Sequence, residues 1–190
     1  MDSLPNFTAF AGQRLLATGE LRSVVIRAKQ HVDEGGPDNV LMFDDLTGQQ
    51  VDFDLSGTTE AALERLRSHP RVADAIGQRQ GPGRPKLGVV CREVSLLPRH
   101  WEWLENQPQG ASAALRRLVD EARKRDPEGE RRQQARDAAA KFMWTMAGDL
   151  PGFEEASRAL FADDRTHFET FIRAWPEDIG RHVLRMLDAS

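Results

Sequence analysis

Apolar positions along this chain first recur every second residue and later every three to four, and that change of period predicts an α+β fold. Phe7 to Ala17 (FTAFAGQRLLA) reads as two short strands about Ala11-Gly12, where glycine supplies the positive φ of a tight turn. In LRSVVIRAKQHV, residues Leu21, Val24, Val25, Ala28 and Val32 share one face at helical spacing, and Gly35-Gly36-Pro37 ends that helix. Apolar Val40 to Phe43 and the alternating Val51, Phe53 and Leu55 predict a hairpin that turns at Thr47-Gly48 and keeps Asp52 and Asp54 outside. Thr58 or Thr59 then caps EAALERLRSH, with Ala62, Leu63 and Leu66 as its buried stripe. The resulting β-β-α-β-β-α order predicts a small antiparallel sheet with helices on one side.

Residues 77–86 (GQRQGPGRPK) contain three glycines and two prolines and almost nothing apolar, the composition of a linker or extended arm. A strand and two helices follow, up to residue 125. RKRDPEGERRQQAR, Arg123 to Arg136, reads as a second hinge, broken by Pro127 and Gly129 and too charged to bury. Helical periods return from Ala138, with Pro151, Thr166 and Pro176 opening three further helices. Phe153, Ala156, Leu160, Phe168, Phe171, Ile172, Trp175, Ile179, Val183 and Met186 supply a small helical core. The expected organisation is an α+β domain at 1–76, a basic arm with a strand-helix-helix unit at 77–125, and a helical subdomain at 126–190.

Charge separates these segments. Residues 1–78 hold seven Lys/Arg and twelve Asp/Glu, residues 79–125 ten and five, and residues 126–190 nine and thirteen, which together give the chain's net charge of -4. A polyanion responds to the local field of the surface it meets, so the basic middle marks a nucleic-acid partner class that the whole-chain balance hides. A solvated basic face paired with its acidic flanks is the plain alternative. No apolar run is long enough to span a bilayer, and MDSLPNFTAF has neither the basic start nor the apolar stretch of a targeting peptide. The single cysteine, Cys91, cannot form an internal disulfide, and no Cys/His spacing suits zinc. A cytoplasmic protein without membrane contact is expected.

Within the basic block, Cys91 to Leu96 reads as a strand with Val94 and Leu96 inward and Cys91, Glu93 and Ser95 outward. Helix A begins at Pro98 and buries Trp101 and Leu104. Helix B follows the turn Gln107 to Ala111, with Ser112 as N-cap and Leu115, Leu118, Val119 and Ala122 as its buried stripe. This order resembles a ribbon-helix-helix module, in which two chains pair their strands and the outward side chains enter the major groove of DNA. The resemblance implies a homodimer on double-stranded DNA, with Arg92, Glu93 and Ser95 at the bases and the start of helix B, with Ser112, Arg116 and Arg117, at a phosphate. Glu93 opposes this reading, since a groove-facing carboxylate is repelled by phosphate unless it accepts from a cytosine amino group. A register shifted by one turns Arg92 outward but exposes Val94 and Leu96 as well. Gly83-Arg84-Pro85-Lys86 resembles the core of an AT-hook, which implies that Arg84 and Lys86 lie in or along a narrow minor groove. Burial of the strand and both helices in the chain's own core is the alternative without DNA.

No catalytic constellation is visible, so an enzyme is not expected. His31, His69, His100, His167 and His182 are scattered and lack metal-ligand or triad spacing. Cys91 sits in an apolar run as a small core or interface residue. The glycines form no phosphate-cradling pattern. Asp44, Asp45, Asp52 and Asp54 gather at one hairpin without the regular ligand spacing of a cation loop, and a soluble sheet face explains them. Neither a metal nor a cofactor is expected. Trp101 and Trp103, two apart on a helix, point to different faces; core packing suits Trp101 and an interface suits Trp103.

FDDLTGQQVDFDL, the long block GRPKLGVVCREVSLLPRHWEWLENQPQGASAALRRLVDEAR, AGDLPGFEEASRALFADD and the AWPED segment together resemble an uncharacterised bacterial family, a domain of unknown function found mostly in proteobacteria. That resemblance implies no catalytic residues; it implies that the three segments belong to one bacterial protein. The reading of the sequence is a cytoplasmic DNA-binding regulator acting as a homodimer, with a protein-protein adaptor as the alternative and an enzyme with a site between domains as the least favoured.

Overall fold

A computed structural model of the chain describes residues 6–67 and 92–188. Among the described residues the elements are β1 (Phe7–Ala11), β2 (Arg14–Gly19), α1 (Leu21–Asp33), β3 (Val40–Asp44), β4 (Gln49–Gln50) and α2 (Thr59–Arg67), then six helices: α3 (Pro98–Glu105), α4 (Ala111–Arg125), α5 (Pro127–Ala147), α6 (Phe153–Phe161), α7 (Arg165–Ile172) and α8 (Glu177–Asp188). The class is α+β. Four antiparallel strands lie in the order β2-β1-β3-β4. The described residues fall into two compact units, one drawn from 1–78 and 131–190, the other from 79–130.

In the first unit, β1 is laddered on both edges, by β2 and by β3, and all five of its residues are buried. Strand alternation sends Phe7 and Ala9 to one face, where they meet Val24, Val25 and Ala28 of α1 and Leu66 of α2. Phe10 goes to the other face with Phe43, against Phe142 and Met143 of α5 and Ile179 and Val183 of α8. Helices therefore cover both faces of the sheet, a correction to the one-sided packing expected from sequence. The second covered face was hard to read because a buried polar residue, Thr8, shares it with Phe10. Between β1 and β2 the register shifts, with Ala9 opposite Ala17 but Phe10 opposite Leu15. Leu16 is the extra residue of this irregularity, and it lets Leu15 pack on one face and both Leu16 and Ala17 on the other.

Two further expectations are corrected. The second hairpin strand is two residues long, and Val51 donates one more bond, to the Met42 carbonyl at 2.8 Å, before the chain leaves the ladder. Phe53 and Leu55 still pack, half-buried, on the α1–α2 side. The charged stretch expected as a hinge is helical: Asp126 alone separates α4 from α5, and its carboxylate accepts from the Gly129 N–H at 2.7 Å. Pro127 is tolerated at the first helical position, and charge does not oppose a helix that stays wet. No described helix is long and apolar enough to cross a membrane.

Candidate nucleic-acid interface

The interface expected from sequence lies within residues 77–125, and the structure redraws its described part. Among the described residues, Arg92 to Leu97 forms no ladder; Arg92, Glu93, Val94 and Ser95 are exposed and Leu96 is half-buried. The predicted strand at Cys91 to Leu96 is therefore corrected over its described residues, since extended backbone becomes a strand only by pairing. Arg84, Lys86 and Cys91 lie outside the described residues.

Leu97, with φ -66° and ψ 150°, leads into α3, and Pro98 occupies its first turn. Leu104 is buried as expected, but Trp101 is 38% and Trp103 48% exposed. The predicted core role of Trp101 is thus corrected: an eight-residue helix has one narrow inward stripe, and Leu104 fills it. Helix α4 is entered through Gly110, whose φ of 75° favours glycine, so Gly110 and not Ser112 occupies the cap position. Ser112 lies within the first turn and is exposed. The inward face of α4 is centred on Ala114, which leaves Leu115 half-buried and Leu118, Val119 and Ala122 exposed, another departure from the predicted stripe.

The first two turns of α4 gather three of the predicted residues. Arg116 Nε donates to the Ser112 carbonyl at 3.1 Å, and Arg117 donates to Gln107 Oε1 at 3.4 Å while facing Glu121 at 3.8 Å. No acidic residue stands in this first turn, so the positive end of the helix dipole is unopposed there. Arg123, Lys124 and Arg125 sit at the other end, where cations favour the dipole, and Arg123 pairs with Glu130 at 3.0 Å. Arg116, Arg117, Arg92, Glu93 and Ser95 are all exposed.

The first unit holds a second polar constellation, which sequence reading missed. Asp45, just beyond β3, accepts from Thr8 Oγ1 at 2.9 Å, and Thr8 lies 3.2 Å from Thr18 Oγ1. From α8, Arg185 reaches Thr18 Oγ1 at 3.0 Å and His182 Nδ1 at 2.5 Å. His182 Nε2 faces Asp45 Oδ1 at 3.4 Å, and both atoms are buried without a hydrogen-bond partner. Burial raises the Asp45 carboxyl to about 6, against the lowering effects of Thr8 and Arg185, while Asp44 adds to the rise. Burial, helped by Arg185, lowers His182 to about 3. The ring of His182 is packed between Phe10 and Phe142, at centroid distances of 5.5 and 4.5 Å. One signal was legible: His182 falls on the stripe Ile179, Val183 and Met186, where an apolar residue belongs. Among the described residues, no three His, Cys, Asp or Glu side chains gather to hold a metal.

No curated protein and no solved structure matches the chain. One family does match, described as an uncharacterized protein conserved in bacteria, and it spans residues 6–187. With nearly the whole sequence covered, the chain belongs to this bacterial family, DUF2239.

Proposed function

We propose that residues 79–130 act as a self-associating DNA-contacting module of a cytoplasmic bacterial regulator. The observation that carries this reading is the largely exposed segment Arg92–Leu97, unladdered among the described residues, standing before a helix pair that leaves four large apolar side chains uncovered. Val94, Leu97, Trp101, Trp103, Leu118 and Val119 are all exposed. A second copy supplies what one chain lacks: a strand partner for Arg92–Leu97 and an apolar cover for the helices. In such a pair Arg92, Glu93 and Ser95 meet the major groove, while Ser112, Arg116, Arg117 and the start of α4 hold phosphate. Arg84 and Lys86 extend the contact along the backbone or minor groove.

Sedimentation of the full chain, together with titration of labelled duplex DNA at several salt concentrations, tests the reading. The expected result is a dimer whose affinity falls steeply with salt, with Arg116→Ala and Arg117→Ala each reducing the salt slope by about one. A chain that stays monomeric, or shows no DNA binding at low salt, overturns it. A protein adaptor is the second reading, favoured by the exposed Trp101 and Trp103, because aromatic side chains are enriched at protein interfaces. It predicts that Trp101→Ala abolishes capture of a partner protein while DNA has no effect.

A further inference from the structure

The five polar side chains between the sheet and α8 form a hydrogen-bonded chain, from Asp45 through Thr8, Thr18 and Arg185 to His182, whose directions can be worked out. Arg185 can only donate. Nδ1 of His182 and Oγ1 of Thr18 must therefore both accept from it. A neutral imidazole that accepts at Nδ1 carries its proton on Nε2, which faces Asp45 Oδ1. On the other branch, Thr8 donates to Asp45 Oδ2, so it receives from Thr18. The threonine branch runs from the Arg185 guanidinium to the Asp45 carboxylate, and the imidazole branch stops at Nε2, 3.4 Å from Asp45 Oδ1.

We propose that Thr18, Thr8 and Asp45 form a reversible hydroxyl relay, through which Asp45 gains and loses a proton while His182 stays neutral and α8 stays docked. The geometry permits the reversal because either threonine oxygen can act as donor in the Thr8–Thr18 contact. Thr18 is exposed, whereas Thr8 is fully buried. When a proton arrives from water at Thr18 Oγ1, Thr18 passes its own proton to Thr8 and Thr8 passes its own to Asp45 Oδ2. Afterwards Asp45 Oδ2–H donates to Thr8, Thr8 donates to Thr18, and the Thr18 hydroxyl points to solvent. One proton has entered, the two contacts have reversed, and none is lost. Asp45 Oδ1 still faces the Nε2–H of His182, and Thr18 still accepts from Arg185.

The groups around the carboxyl fit this assignment. Thr8 of β1 and Thr18 of β2 are neutral relay members, Asp44 of β3 adds negative charge, and Arg185 of α8 adds positive charge. His182, beneath Phe10 and Phe142, is kept from taking the proton by burial and by the neighbouring guanidinium. The carboxyl's rise to about 6 places the exchange close to neutral pH.

Carbon-13 and nitrogen-15 NMR of the full chain across pH tests the relay. The Asp45 carboxyl is expected to titrate near 6 while the His182 nitrogens keep the signature of the neutral Nε2–H form and the α8 amides keep their exchange protection. Thr8→Val removes the relay's middle link and should slow proton exchange at the Asp45 carboxyl as well as move its midpoint further up, whereas Thr8→Ser, which restores a hydroxyl, should return both. The proposal is overturned if His182 protonates or changes tautomer together with Asp45, if α8 loses protection at the Asp45 midpoint, or if Thr8→Ser behaves as Thr8→Val. Thr18→Val offers a second test at an exposed position. It should leave α8 docked and slow proton exchange at the Asp45 carboxyl, and an unchanged exchange rate counts against the relay.

Discussion

At the scale of single residues, Asp45 and His182 give this protein opposed responses to pH. The Asp45 carboxyl is raised in the folded chain from 3.8 to about 6, so its contribution is fully present below about 3.8 and is lost as pH rises through 6. His182 is lowered from 6.5 to about 3, so its contribution is present above about 6.5 and is lost as pH falls toward 3. Between about pH 4 and 6 the two slopes cancel: unfolding releases a proton from Asp45 and takes one up on His182. Each slope, at about 1.4 kcal/mol per pH unit, amounts to about 3 kcal/mol over that window. Urea unfolding of Asp45→Asn should therefore show stability climbing from pH 4 to 6, and that of His182→Gln should show it falling over the same range, while the parent chain is nearly flat. Parallel curves for all three proteins would contradict the assignment.

At the scale of elements, the β3–β4 turn shows how closely the sheet and α5 approach. Gly48 has φ 66°, and a Cβ added there would lie 1.9 Å from the Ala138 carbonyl oxygen of α5. Neither the backbone conformation nor the neighbouring helix leaves room for a side chain. Gly48→Ala is expected to destabilise the first unit by more than the ~1 kcal/mol of a left-handed alanine alone, because helix backbone must shift as well. Gly57→Ala is a matched control: its φ is 74°, but the nearest atom to an added Cβ is the Ala61 side chain at 3.8 Å, so only the conformational part should appear in its melting curve. Equal losses at the two sites would mean that the turn does not depend on its contact with α5. Elements of this kind were largely legible in the sequence. Glycine and proline marked the turns, and helical spacing found α1, α2 and the terminal helices. What periodicity could not supply was the partner of each face. Leu118 and Val119 repeat like core residues yet lie exposed, because a stripe records only that a face is apolar. Likewise Arg92 to Ser95 has strand-like alternation, but ladder formation depends on a second strand that no local pattern specifies.

At the scale of the whole molecule, the sheet's second face is completed by helices that begin more than eighty residues later. Phe10 and Phe43 pack edge-to-face at 6.3 Å, and each also meets Phe142 of α5, at 5.5 and 4.9 Å. The backbone joins in: the Leu15 N–H donates to Asp178 Oδ2 in the first turn of α8, at 2.9 Å. Cut at residue 78, the N-terminal part would expose Phe10, Phe43 and the polar side chains Thr8 and Asp45 together, and residues 131–190 would lose the floor beneath Phe142, Met143 and His182. Each piece would thus uncover apolar surface that the other buries, and an uncompensated buried face of several large side chains exceeds the few kcal/mol that hold a small domain folded. Fragments 1–78 and 131–190 should therefore lack cooperative thermal unfolding when purified separately, and should regain it as a one-to-one complex when mixed or co-expressed. Phe142→Ala, which empties the shared position, should weaken that complex by about 3–5 kcal/mol. If the N-terminal fragment alone melts cooperatively, with the Phe142 variant making no difference, the two segments do not depend on a common core.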